Sequence, residues 1–429
     1  MDLDHSHDVL IVGAGIAGLA AARLLCNAGR RVALIEARER IGGRILTASE
    51  STPIELGAEF VHGLPPASWD LIREASLPTY ELGGEQYCFE STLHPCGHEV
   101  DQSFDVIHGM AEWLSQQSPG FDCSFQEYLD QRALPADQME RAAGYVEGFN
   151  AADRLQISVA ALVRQQRAED DIDGGRIFRI ANGYAALPRF LAEQVQSRGA
   201  EILLGSEVKT IRWREGRVTL QGTRSGGSFS YSATCAVLTL PLGVLQAKAV
   251  QFDPYPRDLE LQTAVRVMGP ATRLPLLFDR AFWTERAPGL SFLFARQRKI
   301  ATWWTAAPDS APLLTAWAGG NGAVDRFQGD HEAIALQELS TLFGLDAKQL
   351  RAMLRVSHHH DWQTDRFAYG AYSYVRAQGL RVSDEMARPI EQTLFFAGEH
   401  TALDGHWGTV HGAIGSGIRA ARQILAQTI

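Results

Sequence analysis

The first forty residues show a short apolar run, a stretch with helical spacing and a second apolar run. Residues 8–12 (DVLIV) end in four consecutive apolar side chains, which is typical of a buried strand. GAGIAG follows at 13–18, and apolar side chains then recur at near-helical spacing as far as Leu25. Gly29 is suited to end this helix, and residues 31–35 (RVALI) predict a second strand. The pattern therefore predicts one strand–helix–strand unit that starts near residue 8.

The same kind of pattern returns twice farther along the chain. Residues 201–240 contain strand-like runs separated by a turn at Glu215 and Gly216, and a helix-like run at 184–199 precedes them. Residues 393–398 (TLFFAG) predict another strand, and a helix with one apolar face follows over 411–427.

Two longer stretches with weaker patterns separate these regions and carry most of the tryptophans. The simplest arrangement is an α/β protein of two domains. We predict a nucleotide-binding domain from 1–78, 181–250 and 362–429, and a substrate-binding domain from 79–180 and 251–361.

Composition and charge narrow the function classes. The chain has 429 residues, 45% of them hydrophobic and 21% charged, which is typical of a globular protein. A net charge of −10 argues against nucleic acid as the main partner. The polar, acidic N-terminus does not resemble a secretion signal, and no apolar run is long enough for a membrane span. We therefore expect a cytoplasmic protein without membrane contact.

The five cysteines are odd in number and include no CxxC pair. This pattern disfavours a disulfide framework or a structural zinc site, and predicts reduced thiols. The tract His358-His359-His360 predicts no metal site either, because consecutive strand residues point to opposite faces.

The glycine motif at 13–18 has the context of a dinucleotide-binding loop. A predicted strand precedes it, a predicted helix follows it, and Glu36 ends the next strand, where it can accept hydrogen bonds from a ribose. Gly13 permits the tight turn, Gly15 lets backbone N–H groups approach a pyrophosphate, and Gly18 allows close helix–strand packing. Gly42, Gly43 and Arg44 form a second backbone-approach loop, which favours the long FAD molecule over NAD.

Four segments resemble the flavin-containing amine oxidases. They are residues 8–44, LGAEFVHG at 56–63, LTLPLGVL at 238–245, and FFAGEHTALDGHWGTVHGAIGSGIRAA at 395–421. The resemblance implies a glutathione-reductase-like, Rossmann-type FAD domain with an inserted α+β substrate-binding domain. It also implies oxidation of the C–N bond of a small amine by hydride transfer to flavin N5, hydrolysis of the imine, and reduction of molecular oxygen to hydrogen peroxide. Within the family, the C-terminal half is most similar to polyamine oxidases and the lysine-specific histone demethylase.

The resemblance also assigns cofactor contacts by motif position. These residues are Gly13, Gly15, Gly18, Glu36, Ala37, Arg38, Gly43, Arg44, Gly57, Ala58, Glu59, Val208, Trp362, Gly398, Glu399, Thr409 and Val410. Thr409 and Val410 have a physical reason as well. They precede the last predicted helix, and a helix N-terminus stabilises the negative charge of a reduced flavin at its N1 and O2 edge.

Residues near the chemistry are Tyr372, Trp407, His62 and Arg273. Monoamine oxidases carry a flavin-linking cysteine where this chain has Ala371, so the resemblance implies noncovalent FAD. Tyr372 then takes the position of an aromatic cage wall, and its alternative is a core residue of a strand. Trp407 is a candidate for the opposite wall. His62 either meets the substrate or serves as a structural hydrogen-bonding group.

Arg273 is the main departure from the family pattern. Within 268–283 (MGPATRLPLLFDRAFW), related sequences carry a lysine here that holds a water against flavin N5. Arg273 either lies near the flavin or forms an ion pair with Asp279 or another acid. Two other functions stay open: an amino-acid oxidase or flavin monooxygenase, and a flavin-binding protein with little turnover. The sequence leaves the oligomeric state open.

Overall fold

The computed structural model describes residues 7–97 and 99–427, so residues 1–6 of the N-terminal segment lie outside the described part. The strands are β1 Val9–Val12, β2 Val32–Ile35, β3 Thr47–Ser49, β4 Pro53–Glu55, β5 Val61–His62, β6 Thr79–Glu81, β7 Glu85–Phe89, β8 Leu93–Pro95, β9 Ile177–Ile180, β10 Glu201–Leu203, β11 Ser206–Arg214, β12 Arg217–Arg224, β13 Gly227–Ala233, β14 Cys235–Leu238, β15 Gln251–Asp253, β16 Arg266–Gly269, β17 Ala271–Phe278, β18 Leu290–Phe294, β19 Thr302–Thr305, β20 Leu313–Gly319, β21 Leu354–Ser357, β22 Tyr372–Val375 and β23 Leu394–Phe396.

The α-helices are α1 Ile16–Asn27, α2 Pro66–Glu74, α3 Glu99–Ser115, α4 Phe125–Asp130, α5 Ala136–Asn150, α6 Val159–Asp170, α7 Ala186–Ser197, α8 Leu242–Gln246, α9 Leu259–Ala264, α10 Asn321–Arg326, α11 His331–Phe343, α12 Ala347–Met353, α13 Leu380–Glu385 and α14 Val410–Leu425. Short 3₁₀ helices cover Phe282–Glu285 and Glu399–Thr401.

One part of the molecule is built around a five-stranded parallel sheet with the strand order β10-β2-β1-β14-β23. All four residues of β1, β2 and β14 are buried, which explains why these strands read as uninterrupted apolar runs. Helices α1, α7 and α14 cover one face through a shared apolar cluster. The other face packs against the sheet of β11, β12, β13 and β15. The strands and helices predicted in these regions are confirmed, with shifts of one or two residues at their ends.

The other part of the molecule is built around a seven-stranded sheet with the strand order β21-β17-β20-β19-β18-β7-β8. Helices α11 and α12 pack against it in a second apolar cluster, and helices α3 to α6 form another cluster. Two small sheets connect the two parts: β9 pairs with β5 and β6, and β16 pairs with β22. The residue boundaries given above for the two domains stay a prediction.

The prediction of reduced thiols is wrong for two cysteines. Cys88 and Cys96 form a disulfide with their Cα atoms 5.0 Å apart. They lie on the hairpin of β7 and β8, where Cys96 N–H donates to the carbonyl of Gln86. This pairing depends on a hairpin register that the weak pattern of this region did not reveal. Among the described residues, no helix is both long and apolar enough to cross a membrane.

Candidate active site

A cavity of about 1620 Å³ extends from the ends of the parallel strands to the seven-stranded sheet. Its wall includes Gly13 and Glu36 at the parallel sheet and Phe292, Trp304 and Trp317 at the other sheet. A single ligand pocket commonly measures roughly 300–1,000 Å³. The cavity is therefore large enough for a dinucleotide and a second, smaller molecule.

The glycine loop forms the wall at the parallel sheet. Gly13 has a φ of 103°, and Gly15 lies at the N-terminus of α1 as its N-cap. A Cβ atom on Gly43 would lie 3.4 Å from the Cα of Gly15, so the two loops approach each other backbone to backbone. Exposed N–H groups at a helix start favour an anion. This end of the cavity fits the pyrophosphate of a dinucleotide.

Glu36 closes the same end. Its carboxylate accepts hydrogen bonds from the N–H groups of Ala14 at 2.8 Å and Arg38 at 2.9 Å. Burial raises the pKa of Glu36, while these two hydrogen bonds oppose the shift. The buried carboxylate at the end of β2 has the position expected of a ribose ligand.

Gly18 differs from the other two glycines of the motif. It does not line the cavity, and a Cβ atom there would lie 2.1 Å from the carbonyl oxygen of Gly13. Its role in the structure is the close packing of α1 against β1, and its contact with a cofactor stays a prediction.

Two ion pairs fix the arginines of this region. Arg38 donates to both oxygens of Asp365, at 2.8 and 2.9 Å. Arg44 donates to Glu399 at 2.8 Å and to the carbonyl of Ala371 at 2.9 Å. Both arginines line the cavity, and their partners come from the C-terminal third of the chain.

Glu399 connects three segments around the middle of the cavity. It accepts hydrogen bonds from Arg44, from the hydroxyl of Ser373 at 2.7 Å and from the N–H of Gly408 at 3.0 Å. Burial alone would raise the pKa of Glu399, but the charge of Arg44 and the hydrogen bonds from Ser373 and Arg44 outweigh it and lower the pKa to about 2. Glu399 is therefore ionised at neutral pH.

The last helix begins at the cavity wall, as predicted. Thr409 is the N-cap of α14, and its hydroxyl oxygen accepts a hydrogen bond from the N–H of Gly412 at 3.0 Å. Thr409 and Val410 both line the cavity. The positive end of the helix dipole is therefore available to a ligand with negative charge.

The structure brings nearly all of the predicted residues together around one cavity. Apart from Gly18, all of the predicted site residues line the cavity: Gly13, Gly15, Glu36, Ala37, Arg38, Gly43, Arg44, Gly57, Ala58, Glu59, His62, Val208, Arg273, Trp362, Tyr372, Gly398, Glu399, Trp407, Thr409 and Val410.

Tyr372 and Trp407 lie on the wall near the start of α14. The hydroxyl of Tyr372 donates to the carbonyl of Phe149 at 2.8 Å. The indole N–H of Trp407 donates to the carbonyl of Ala402 at 2.7 Å, and its ring packs against the guanidinium of Arg266. Both side chains are held by these contacts, so neither is free to swing into the cavity.

His62 lies among aromatic rings. Its ring is 5.9 Å from that of Phe60 and 5.7 Å from that of Phe149. Burial lowers the pKa of His62 to about 4. The imidazole is therefore neutral at physiological pH and suited to an apolar wall.

Arg273 has an acid partner, but not Asp279. It pairs with Glu59 at 2.7 Å and donates to the carbonyl of Gly57 at 2.5 Å, while Asp279 pairs with Arg355. The guanidinium packs against the rings of Trp304 and Trp317, at 5.2 and 5.7 Å. Arg273 thus lies in the cavity wall and is ion-paired there as well.

Several residues of the cavity wall are not assigned from the sequence, and we call the part of the cavity that their aromatic rings surround the aromatic chamber. Phe60, Phe149, Trp304 and Trp317 line it, and Arg179 pairs with Glu59 from behind. The concentration of tryptophans in the weakly patterned stretches was the one signal that pointed to two of them.

The histidine tract has separate partners. His358 contacts Glu50, His360 contacts Asp365, and the ring of His359 lies 4.2 Å from that of His331. Within the described residues, no group of three or more potential ligands is placed to hold a metal ion.

Comparison with known proteins identifies the family. The model of flavin containing amine oxidoreductases matches residues 16–425. The chain belongs to this family. The predicted relationship is thereby confirmed, and the protein is a flavin-containing amine oxidoreductase.

Curated relatives and solved structures agree with this assignment. Polyamine oxidase 3 of Oryza sativa subsp. japonica is 28% identical, over 98% of this chain and 89% of the relative. Lysine-specific histone demethylase 1 homolog 2 of the same plant is 26% identical over 97% of this chain, which spans 57% of that relative.

The fold prediction is confirmed by solved structures. Wild-type putrescine oxidase bound to putrescine superposes with a TM-score of 0.84 at 23% identity, covering 98% of this chain and 99% of that one. Cyclohexylamine oxidase from Brevibacterium oxydans gives a TM-score of 0.82 at 21% identity, covering 98% of each chain. The amine oxidoreductase therefore shares the overall fold of these two oxidases.

Proposed function

We propose that this amine oxidoreductase binds FAD noncovalently and oxidises the C–N bond of a small amine, with molecular oxygen as the electron acceptor. The observation that carries the proposal is the single cavity that connects the glycine loop to an aromatic chamber. Ala371 supports noncovalent binding, because the side chain next to Tyr372 offers no sulfur for a link to the flavin. When bound, the flavin would accept a hydride equivalent from the carbon next to the amine nitrogen.

The dinucleotide is expected to lie along the wall from Glu36 to Thr409. The N-terminus of α1 would bind its pyrophosphate, and the N-terminus of α14 would stabilise negative charge at the pyrimidine edge of the flavin. The loop at Gly57 would pass the flavin ring. There the ring of Trp362 lies 3.3 Å from the Cβ position that Gly57 leaves empty.

The amine is expected to lie between Tyr372 and the rings of Phe149 and Trp304. An apolar chamber disfavours the hydrated ammonium and favours the neutral amine, whose lone pair assists loss of hydride. His62, with a pKa of about 4, adds no positive charge to this wall at neutral pH. Arg273 commits its two terminal nitrogens to Gly57 and Glu59, and only its buried Nε has no hydrogen-bond partner. This leaves it poorly suited to grip a substrate carboxylate, so an amine is a better candidate than an amino acid.

Anaerobic mixing with a panel of amines and amino acids tests the proposal. We expect amines to bleach the bound flavin, and readmission of oxygen to yield aldehyde and hydrogen peroxide. Bleaching by amino acids with a keto acid product would support the amino-acid oxidase alternative. A flavin that no member of the panel bleaches would indicate a binding protein with little turnover.

A further inference from the structure

The carboxylate of Glu59 is shared by two arginines. Arg273 lies 2.7 Å from one of its oxygens and Arg179 lies 2.5 Å from the other. All three side chains are less than one-tenth exposed. The indole N–H of Trp304 also donates to this carboxylate, at 3.1–3.2 Å. We call Arg179, Glu59 and Arg273 the charge triad.

The charge triad carries one more positive than negative charge. A further acid whose charge acts on Arg273 is Glu55, whose oxygens accept hydrogen bonds from the hydroxyl of Thr47 and the N–H of Tyr184, both at 2.7 Å. Burial raises the pKa of Glu55 to about 7, although these hydrogen bonds oppose the shift. Below that pH Glu55 is mostly protonated, and the triad keeps its surplus positive charge.

The members of the triad differ in their access to the cavity. Glu59 and Arg273 line it beside Gly57, where the flavin ring is expected. Arg179 is not part of the lining and packs behind the ring of Phe60, 5.1 Å from its centre. Arg179 therefore contributes charge to the site without a surface that a substrate could touch.

Several other acids of the cavity lie on α5 and α6, and most of these have partners of their own. Asp137 pairs with Arg141, and Glu140 and Glu147 both pair with Arg154. Glu169 accepts a hydrogen bond from Gln165 at 2.9 Å. Asp170 also lines this side of the cavity. In contrast to these helices, the wall beside Gly57 presents the positively charged triad.

We infer that Arg179 acts as a specificity-determining residue: by making the charge triad positive, it selects amines whose only basic group is the reacting nitrogen, against short diamines that carry a second ammonium group. This inference rests on the proposed amine oxidation. A second ammonium group within reach of the triad is repelled, and the rings of Phe60, Phe149, Trp304 and Trp317 offer it no charge in compensation. The uncharged hydrocarbon chain of a monoamine is not repelled by the triad and needs no opposite charge, and it packs against the rings of Phe60 and Trp304.

Two substrates of equal length measure the effect. We expect n-butylamine to reduce the flavin with a higher second-order rate constant than the four-carbon α,ω-diamine, in anaerobic stopped-flow below pH 7. Arg179→Gln should narrow this ratio on the order of tenfold, as a unit charge acting over several ångströms at an effective dielectric constant near 20 would predict. Glu59→Gln removes the negative charge of the triad, which makes its net charge more positive, and should widen the ratio.

Two control variants separate charge from structure. Arg179→Lys keeps the charge, so it should keep the wild-type ratio. Arg214→Gln removes an exposed arginine from β11, so it changes the total charge equally but should leave the ratio unaltered. Bound flavin and thermal stability are measured first. If Arg179→Gln does not fold, the Glu59→Gln and Arg179→Lys variants carry the test.

The outcomes distinguish the inference from the proposed function. A wild-type enzyme that prefers the diamine, or a ratio that is the same in Arg179→Gln and wild type, would overturn the inference while amine oxidation stands. An amino acid that reacts faster than the monoamine of equal chain length would overturn it too. Failure of every amine to bleach the flavin would instead reject the proposed function.

Discussion

At position 273 a guanidinium stands where the resemblance implies a lysine that holds a water beside the flavin. The structure ties this guanidinium to Glu59 and to the carbonyl of Gly57, and the rings of two tryptophans pack against it. A guanidinium is broad and planar, whereas an ammonium is a compact charge with three rotatable donors. Arginine at this position therefore keeps the positive charge of a lysine, but it does not hold a water molecule at the same place.

Arg273→Lys should speed the reaction of the reduced enzyme with oxygen. A displacement of about 1 Å at a reacting centre can change a rate on the order of a hundredfold, so we expect a gain of at least about tenfold. Rapid mixing of reduced enzyme with oxygenated buffer measures it. Equal reoxidation rates in the two proteins would show that Arg273 does not restrain oxygen chemistry.

Tyr372 offers a second test at the same scale. Tyr372→Ala removes the ring from the chamber wall and should slow flavin reduction at saturating amine by about tenfold, with FAD still bound. Tyr372→Phe is the matched control, because it keeps the ring and loses only the hydrogen bond to Phe149. An unchanged rate in the alanine variant would assign Tyr372 to the core.

Single residues also show where sequence reasoning ends. Glu36 and Thr409 could be predicted because each follows from a local pattern, a strand end and a helix start. The partners of Glu59 could not, because Arg179 and Arg273 come from strands β9 and β17, far away in the sequence. An ion pair of this kind depends on how the sheets pack against each other, so no local sequence pattern predicts it.

At the scale of elements, α14 packs directly on α1, the helix that begins at the glycine loop. A Cβ atom on Gly417 would lie 2.1 Å from the carbonyl oxygen of Ala17, so this packing requires glycine. Gly415, in the same helix, is exposed and has open space around its Cβ position. Alanine substitutions at the two positions should therefore act in opposite directions.

Gly417→Ala should lower the free energy of unfolding by about 1–3 kcal/mol, because the backbones must separate. It should also lower the amount of flavin that the protein binds, because a shift of α1 moves the N-terminus of this helix as well. Gly415→Ala should stabilise the protein by up to about 1 kcal/mol through helix propensity alone. Chemical denaturation of both variants measures these changes. The explanation fails if the two variants change stability in the same direction.

Secondary-structure elements differ in how clearly the sequence pattern predicts them. Strands β1, β2 and β14 are buried on both faces and have continuous apolar runs, so their prediction was straightforward. The hairpin of β7 and β8 lies at the edge of the seven-stranded sheet, and β7 is partly exposed. Its pattern is correspondingly weak, which is why the disulfide of Cys88 and Cys96 was missed.

At the scale of the whole molecule, one cavity lies between the two sheets, and its walls come from the beginning, middle and end of the chain. A ligand that fills it contacts all of these segments together. It therefore stabilises the folded state by an amount that grows with its concentration relative to its dissociation constant. The cofactor should act as a structural connection as well as a reagent.

Removal of the flavin should release free FAD and weaken the fold. Acid precipitation should leave the yellow colour in the supernatant, because Ala371 provides no covalent link. The apoprotein, prepared under milder conditions, should melt roughly 3–5 °C lower than the holoenzyme, since a ligand at a hundred to a thousand times its dissociation constant contributes about 3–4 kcal/mol. Added FAD should restore the melting temperature. Riboflavin should restore little of it, because it lacks the pyrophosphate that the N-terminus of α1 is suited to bind and the adenosine ribose that Glu36 is placed to meet. Colour retained in the washed pellet would contradict noncovalent binding, and equal rescue by riboflavin would contradict the role of the glycine loop.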